Sequence, residues 1–505
     1  MGDNQPALLA LLESSFLVQR SKEIKMSLSE IIIYEDSLSL RKILASNSPP
    51  MNVIDEYGYT PLIQTAIVND PEKTKLILQQ EADPNFSDLV GRVGLHWAAD
   101  NNNFTLCLLL LKAGADPNLP TMAGQSPLVM PLLRGNKKIS SLLIEYGASI
   151  DFANDFIMAK LLAHRFNMGG HVDILDNQKK LIEINLEGFF LEFSLSAIIQ
   201  SFREFSSSIE TSDFFEASKN IKLTNLALKR AESLIKFQHY SVDTDKHDQE
   251  IESIIETEPI FLPVACQGHV ISLVKLHSLL IYCDRGELGR NRGSSIIVYH
   301  LPIPELITPG YIKRMLFTRQ DRSFFESEML EFLHLKPLCS LPLKIQRVGN
   351  CSWSNTEGAI LILLFLSFYS DLPEIEEKKR VQLSFKKAKL IFERWQAWDR
   401  HIALTRCFDS FECGSKERKL TKCALLATLV VQMVEDQNDP YLMRNTKAIL
   451  DLLTNPKYNY ILKIYWRELN RNQKNINLVR KLSEILDEAG FDVNKWFDWK
   501  EIKSD

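Results

Sequence analysis

Three segments of this 505-residue chain superimpose at a spacing of 33 residues, and that spacing fixes the form of its first third. Thr60-Pro61-Leu62, Val93-Gly94-Leu95 and Ser126-Pro127-Leu128 each open a short apolar stretch with helical spacing. Ala82-Asp83-Pro84-Asn85, Ala115-Asp116-Pro117-Asn118 and Ala148-Ser149-Ile150-Asp151 each close the unit after a second such stretch. Pro61 and Pro127 fall where a first helical turn has no use for an N–H. Gly114 and Gly147 fall just past a second helix, where a left-handed residue is needed. A unit of two short helices cannot bury its apolar face alone, so the copies must stack. A degenerate first unit over Ser27–Val53 is expected to cap one end and Asp155–Asn167 the other.

The pattern resembles the ankyrin repeat, clearest from Gly91 to Asn118 (GRVGLHWAADNNNFTLCLLLLKAGADPN). That resemblance implies about four units over 27–170 that present a concave surface to a protein partner and carry no catalytic apparatus. The chain is too long for one core. Its 45% hydrophobic and 24% charged content is ordinary, and a net charge of −5 gives no footing for nucleic acid or a membrane surface. Eight scattered cysteines without a C-x-x-C pair fit free thiols in a reducing compartment. The apolar N-terminal stretch lacks a basic flank and contains Glu13, which disfavours a signal peptide. Ala359–Phe368 is too short to span a bilayer and reads as a buried helix, so a soluble protein is expected.

Beyond the repeats, 1–26 reads as an N-terminal helical segment and 171–258 as a helical stretch ending in a polar linker. Texture changes at 259–370. Val264–Val274, Ser278–Cys283 and Ser295–Tyr299 read as three strands of an antiparallel meander, rich in β-branched and aromatic residues. Amphipathic helices return over 371–505. Within the strand-rich part, four residues form a plausible chemical set. Cys351 sits just ahead of the apolar helix, where the positive end of the dipole favours a thiolate. His269, on the first strand, is placed to carry the thiol proton. Asp284, at the end of the next strand, is placed to orient the imidazole, with Glu287 as an alternative. Gln346, five residues before the cysteine, is placed to donate to an oxyanion. Each has a bland reading: a buried thiol, a turn aspartate, a loop glutamine. Cys266 and His269 have half the spacing of a zinc site with no second pair, so no metal and no cofactor are expected. Arg285, Arg290 and Arg292 form a basic loop, either solvated or able to meet an anion.

The order His, acid, Gln, Cys resembles the clan that holds the ubiquitin-like-protein proteases and the YopJ-type effectors, although Val270 stands where those proteases commonly carry tryptophan. Joined to the repeats, QGHVISLV, LIYCDRGE and QRVGNCSWSN are similar to ankyrin-repeat effectors that Legionella delivers by type IV secretion, with a cysteine-protease-like domain. The resemblance implies an α+β protein: an ankyrin solenoid, then an α+β cysteine-protease-like core with helical additions. It also implies action in the cytoplasm or nucleus of a host cell, on a host protein held by the repeats. The reaction would be thiol-dependent hydrolysis or acyl transfer, acetyl transfer included. The alternative is a binding scaffold whose protease-like domain is inactive. The Leu-x5-Asp-x-Asn context ending at Asn118 resembles that used by a host asparaginyl hydroxylase. The tail Asp487–Asp505 reads either as a delivery signal or as a packed last helix.

Overall fold

The structure is a computed structural model. It describes residues 26–46, 49–239, 242–266, 268–318, 320–346, 348–372, 375–433, 440–471 and 476–488. All but the last residue of the expected N-terminal helical segment lies ahead of these residues, and all but the first two residues of the expected tail signal lie beyond them.

The repeat period is visible atom by atom. Helices pair as Leu28–Tyr34 with Ser37–Ser46, Pro61–Ile67 with Pro71–Leu78, Gly94–Asp100 with Phe104–Lys112, and Val129–Leu133 with Lys137–Glu145. Left-handed residues recur at the same places: Gly58, Gly91 and Gly124 at the loop tips, Asn69, Asn102 and Gly135 between the paired helices. Asp70, Asn103 and Asn136 cap the second helices through their side chains. Asparagines link one unit to the next. Asn85 Nδ2 donates to the Gly114 carbonyl at 3.0 Å while its Oδ1 accepts the Asp116 N–H at 2.7 Å. Asn118 does the same with Gly147 (2.9 Å) and Ser149 (2.8 Å). His96 is buried and accepts the Val93 N–H, with its other nitrogen against the Gln125 carbonyl. Burial pushes it down to about 3, so it serves as a neutral strut.

A long capping helix, Ile150–Arg165, closes the stack. The chain then departs from expectation. Where a helical stretch is predicted, β1 (His171–Leu175) and β2 (Leu181–Asn185) form an antiparallel hairpin, burying Val172, Ile174, Ile182 and Ile184 on one face. The main sheet has five antiparallel strands in chain order: β3 (Ile260–Cys266), β4 (His269–Leu276), β5 (Leu279–Cys283), β6 (Ile296–His300) and β7 (Lys336–Leu341). The predicted single strand Val264–Val274 is therefore two. Cys266 pairs with His269 across a tight turn that contains Gly268 at φ 77°.

One face of this sheet carries Phe261, Val274, Ile281, Cys283, Ile296 and Val298 against the helix Cys351–Asp371. This cysteine helix has 21 residues, twice the predicted apolar run. It is the one helix among the described residues long and apolar enough to cross a membrane, yet 89% of its most apolar window is buried inside the protein. The opposite face carries Leu262, Val264, Ile271, Leu273 and Tyr282 against helices Asp248–Ile255 and Pro309–Phe317. Among the described residues, the helices after Glu412 place their buried apolar side chains away from this sheet. Leu426, Leu429, Leu450, Leu462 and Leu482 join the apolar core of the repeats and the β1–β2 hairpin.

Candidate active site

The two layers meet at one end of the sheet. Asn355, fully buried in the second turn of the cysteine helix, accepts the Arg285 N–H at 2.7 Å and donates to the Val270 carbonyl at 2.5 Å. Its own carbonyl accepts the Ser272 hydroxyl at 2.8 Å. Arg285, 5% exposed, ties the same turn down with Nη1 on the Ser354 carbonyl and on Glu357, and Nε on the Lys344 carbonyl. The arginine is thus structural and not part of an anion-binding loop. Arg292 is likewise engaged, lying over the Tyr282 ring and donating to the Phe325 and Glu326 carbonyls.

With Asn355 held at the strand ends, the turn before it lies past them, and Cys351 is its first residue. His269 and Asp284 follow the strand parity of Ile271 and Tyr282, the face away from the cysteine helix. Both residues lie beyond the last β4–β5 pair, Ser272 with Cys283, where the two strands no longer form a continuous wall between the faces. His269 Nε2 lies 2.9 Å from Asp284 Oδ1, and the Cys351 sulfur is near enough to favour charge on the same ring. With Nε2 engaged by the carboxylate, Nδ1 is the nitrogen left for the sulfur. Burial works against charge on this ring, but the Asp284 and Cys351 contacts outweigh it and push it up to about 10. Asp284 is fully buried, and its Oδ1 also accepts the Gly286 N–H at 2.6 Å. The alternative acid, Glu287, instead pairs with Arg322.

Gln346 is fixed by its backbone N–H on the Arg285 carbonyl at 2.8 Å. Its side chain belongs to the same cluster. A Cβ added to Gly286 would come within 2.8 Å of His269 Cε1, 3.0 Å of Asp284 Oδ1 and 3.4 Å of Gln346 Nε2. Among the described residues, Asp284 Oδ2 and Gln346 Oε1 are buried without a hydrogen-bond partner. All four predicted residues therefore converge, and Asn118 lies apart from them in the repeat ladder. Sequence reasoning missed Gly286, Asn350, Asn355 and the role of Arg285. The signal for Gly286 was its place between an acid and a helix start; Asn355 and Arg285 have no local signature.

Two comparisons bear on this arrangement. The ankyrin-repeat family profile matches residues 28–121 with three copies. The solved structure of the Legionella effector AnkH aligns with 31% sequence identity and a TM-score of 0.74, over 93% of this chain and 98% of that one. A likeness of that identity along nearly the whole length of both molecules takes in the repeats, the sheet and the helices that join them, and so the chain belongs to the family of the Legionella effector AnkH.

Proposed function

We propose that this protein is a bacterial effector, delivered by type IV secretion and acting inside a host cell. Its ankyrin repeats hold a host protein, and the second half is a cysteine-protease-like hydrolase. The observation that carries the chemistry is the shared imidazole: one nitrogen 2.9 Å from a fully buried carboxylate, on a ring whose charge is also favoured by a sulfur at the start of a helix. A ring held cationic by Asp284 is placed to give a proton to a leaving group and, once neutral, to take one from water.

The steps follow. The Cys351 sulfur attacks a carbonyl carbon and forms a C–S bond. The resulting oxyanion meets the N–H groups at the start of the cysteine helix and the Gln346 amide. Collapse breaks the bond to the leaving group, which takes its proton from His269. Water, deprotonated by the same ring, then splits the thioester to carboxylate and thiol.

Reaction with an electrophilic cysteine probe tests this reading. Cys351 is expected to label ahead of the exposed Cys413, and His269→Ala to abolish that preference. Equal labelling of the two thiols in the unaltered protein would sink the hydrolase. Action in a host also makes Asn118 a substrate for the host asparaginyl hydroxylase. Peptide mass spectrometry of protein recovered from host cells is expected to find one added oxygen there, and an unmodified peptide would remove the site.

A further inference from the structure

The residues just ahead of Cys351 are held by the ankyrin half of the molecule. Asn350 is 2% exposed, and its side chain is fixed at both ends. Its Nδ2 donates to Asn167 Oδ1 at 2.7 Å, and its Oδ1 accepts the Ser354 hydroxyl at 2.9 Å. Its carbonyl accepts the N–H groups of Trp353 and Ser354, which starts the cysteine helix. Asn167 lies two residues past the end of the capping helix, in the left-handed conformation at φ 52°.

A second set of contacts holds Gly349. Its N–H donates to Glu187 Oε2 at 3.2 Å, and its carbonyl accepts the Gly188 N–H at 2.7 Å. Lys160, buried in the capping helix, donates to the Glu187 and Gly188 carbonyls at 2.7 Å each. A Cβ at Gly349 would come within 2.6 Å of Glu187 Oε2, so a side chain there would displace the glutamate that holds this residue.

We propose that Asn167 is a positioning residue for Cys351, acting through Asn350, so that the last helix of the repeat stack sets the place of the nucleophile. This rests on the hydrolase reading above. Asn350 is the pivot: it fixes where the cysteine helix begins, and the only described side chain that holds its amide nitrogen belongs to the ankyrin half. Glu187 gives the neighbouring residue the same kind of support.

The test uses the full-length protein and iodoacetamide, with the rates at Cys351 and Cys413 read together by mass spectrometry from mildly acid to mildly alkaline pH. Asn167→Gly keeps the left-handed backbone and removes the acceptor; Asn167→Asp keeps an acceptor oxygen and tolerates that backbone. The Gly variant is expected to slow Cys351 about tenfold and to shift its pH profile, since an ångström of misplacement is worth up to about a hundredfold. Cys413 should not change, and the Asp variant should restore Cys351. Glu187 is exposed, so Glu187→Ala gives a second variant that does not threaten the core, with the same direction of effect.

Unaltered rates and profile at Cys351 in both acceptor-removing variants, with the native protein reacting selectively there, would overturn the positioning role alone. If Asn167→Gly does not fold, Glu187→Ala decides in the same way. A native Cys351 no faster than Cys413 would overturn the hydrolase and this proposal together.

Discussion

Gly286 is the residue on which the candidate site is most exposed to a single methyl group. Its φ is −91°, and what the surrounding side chains deny it is space for a Cβ. Alanine would drive a Cβ into the His269 ring, the Asp284 carboxylate and the Gln346 amide together. Gly286→Ala is expected to cut Cys351 labelling at least about tenfold, and to cost about 1–3 kcal/mol of stability in a denaturant melt. His269 gives a second prediction at this scale. Its ring rises from 6.5 to about 10 on folding, so the stability it adds is complete below pH 6.5 and is lost as pH climbs toward 10. Urea titrations of the native protein and His269→Gln should therefore differ most in mild acid, and the gap should close with rising pH. A gap that widens toward alkaline pH would show that the ring is neutral in the folded protein.

Elements were legible where their ends carry punctuation. In the repeats, proline, asparagine and glycine recur at fixed offsets, so helix starts and stops can be read directly from the chain. Elsewhere the markers thin out. The β3–β4 turn has only Gly268 to mark it inside a continuous apolar run, and the run reads as one strand. β7 is an edge strand with Pro337 and mostly exposed side chains, so it shows no alternation to find. Cys351 and His269 could be singled out because a helix start and a strand residue have recognisable chemistry. The supports of the cysteine helix could not, because their partners are 69 to 183 residues away. Asn355 is the main one. Asn355→Ala would leave the Arg285 N–H and the Val270 carbonyl buried without partners, and a loss of about 2–5 kcal/mol is expected. A thermal melt that barely moves would mean that the helix is held by apolar packing alone.

The two halves of the molecule are joined by buried charge as well as by apolar packing. Arg165, at the end of the capping helix, meets Asp399 of the long helix Glu377–Glu412 at 2.8 Å, with both side chains 7% exposed. Ser201 and Trp395 extend that network. Asp100 of the repeats is held well below the usual carboxylate range: burial opposes this, but His239, Arg92 and Arg134 outweigh it, and Arg134 also reaches Glu192. Asp399→Ala would strand the Arg165 cation and should cost about 3–5 kcal/mol. Calorimetry should show one transition moved down; two resolved transitions would mean that the halves unfold separately. The shared core argues for one, and it makes removal of the repeats a poor test of partner capture. Substitutions at the exposed loop tips, such as Leu89 and Met122, leave that core intact. The same core has a consequence in time. The capping helix ends at Arg165, and the C-terminal part of its core begins at Leu404. At the usual pace of synthesis the ribosome needs on the order of ten to fifty seconds to make the chain between them. For that interval the newly made repeats wait with an open apolar flank, and crowding or a slow ribosome would tell on this protein sooner than on one whose core closes locally.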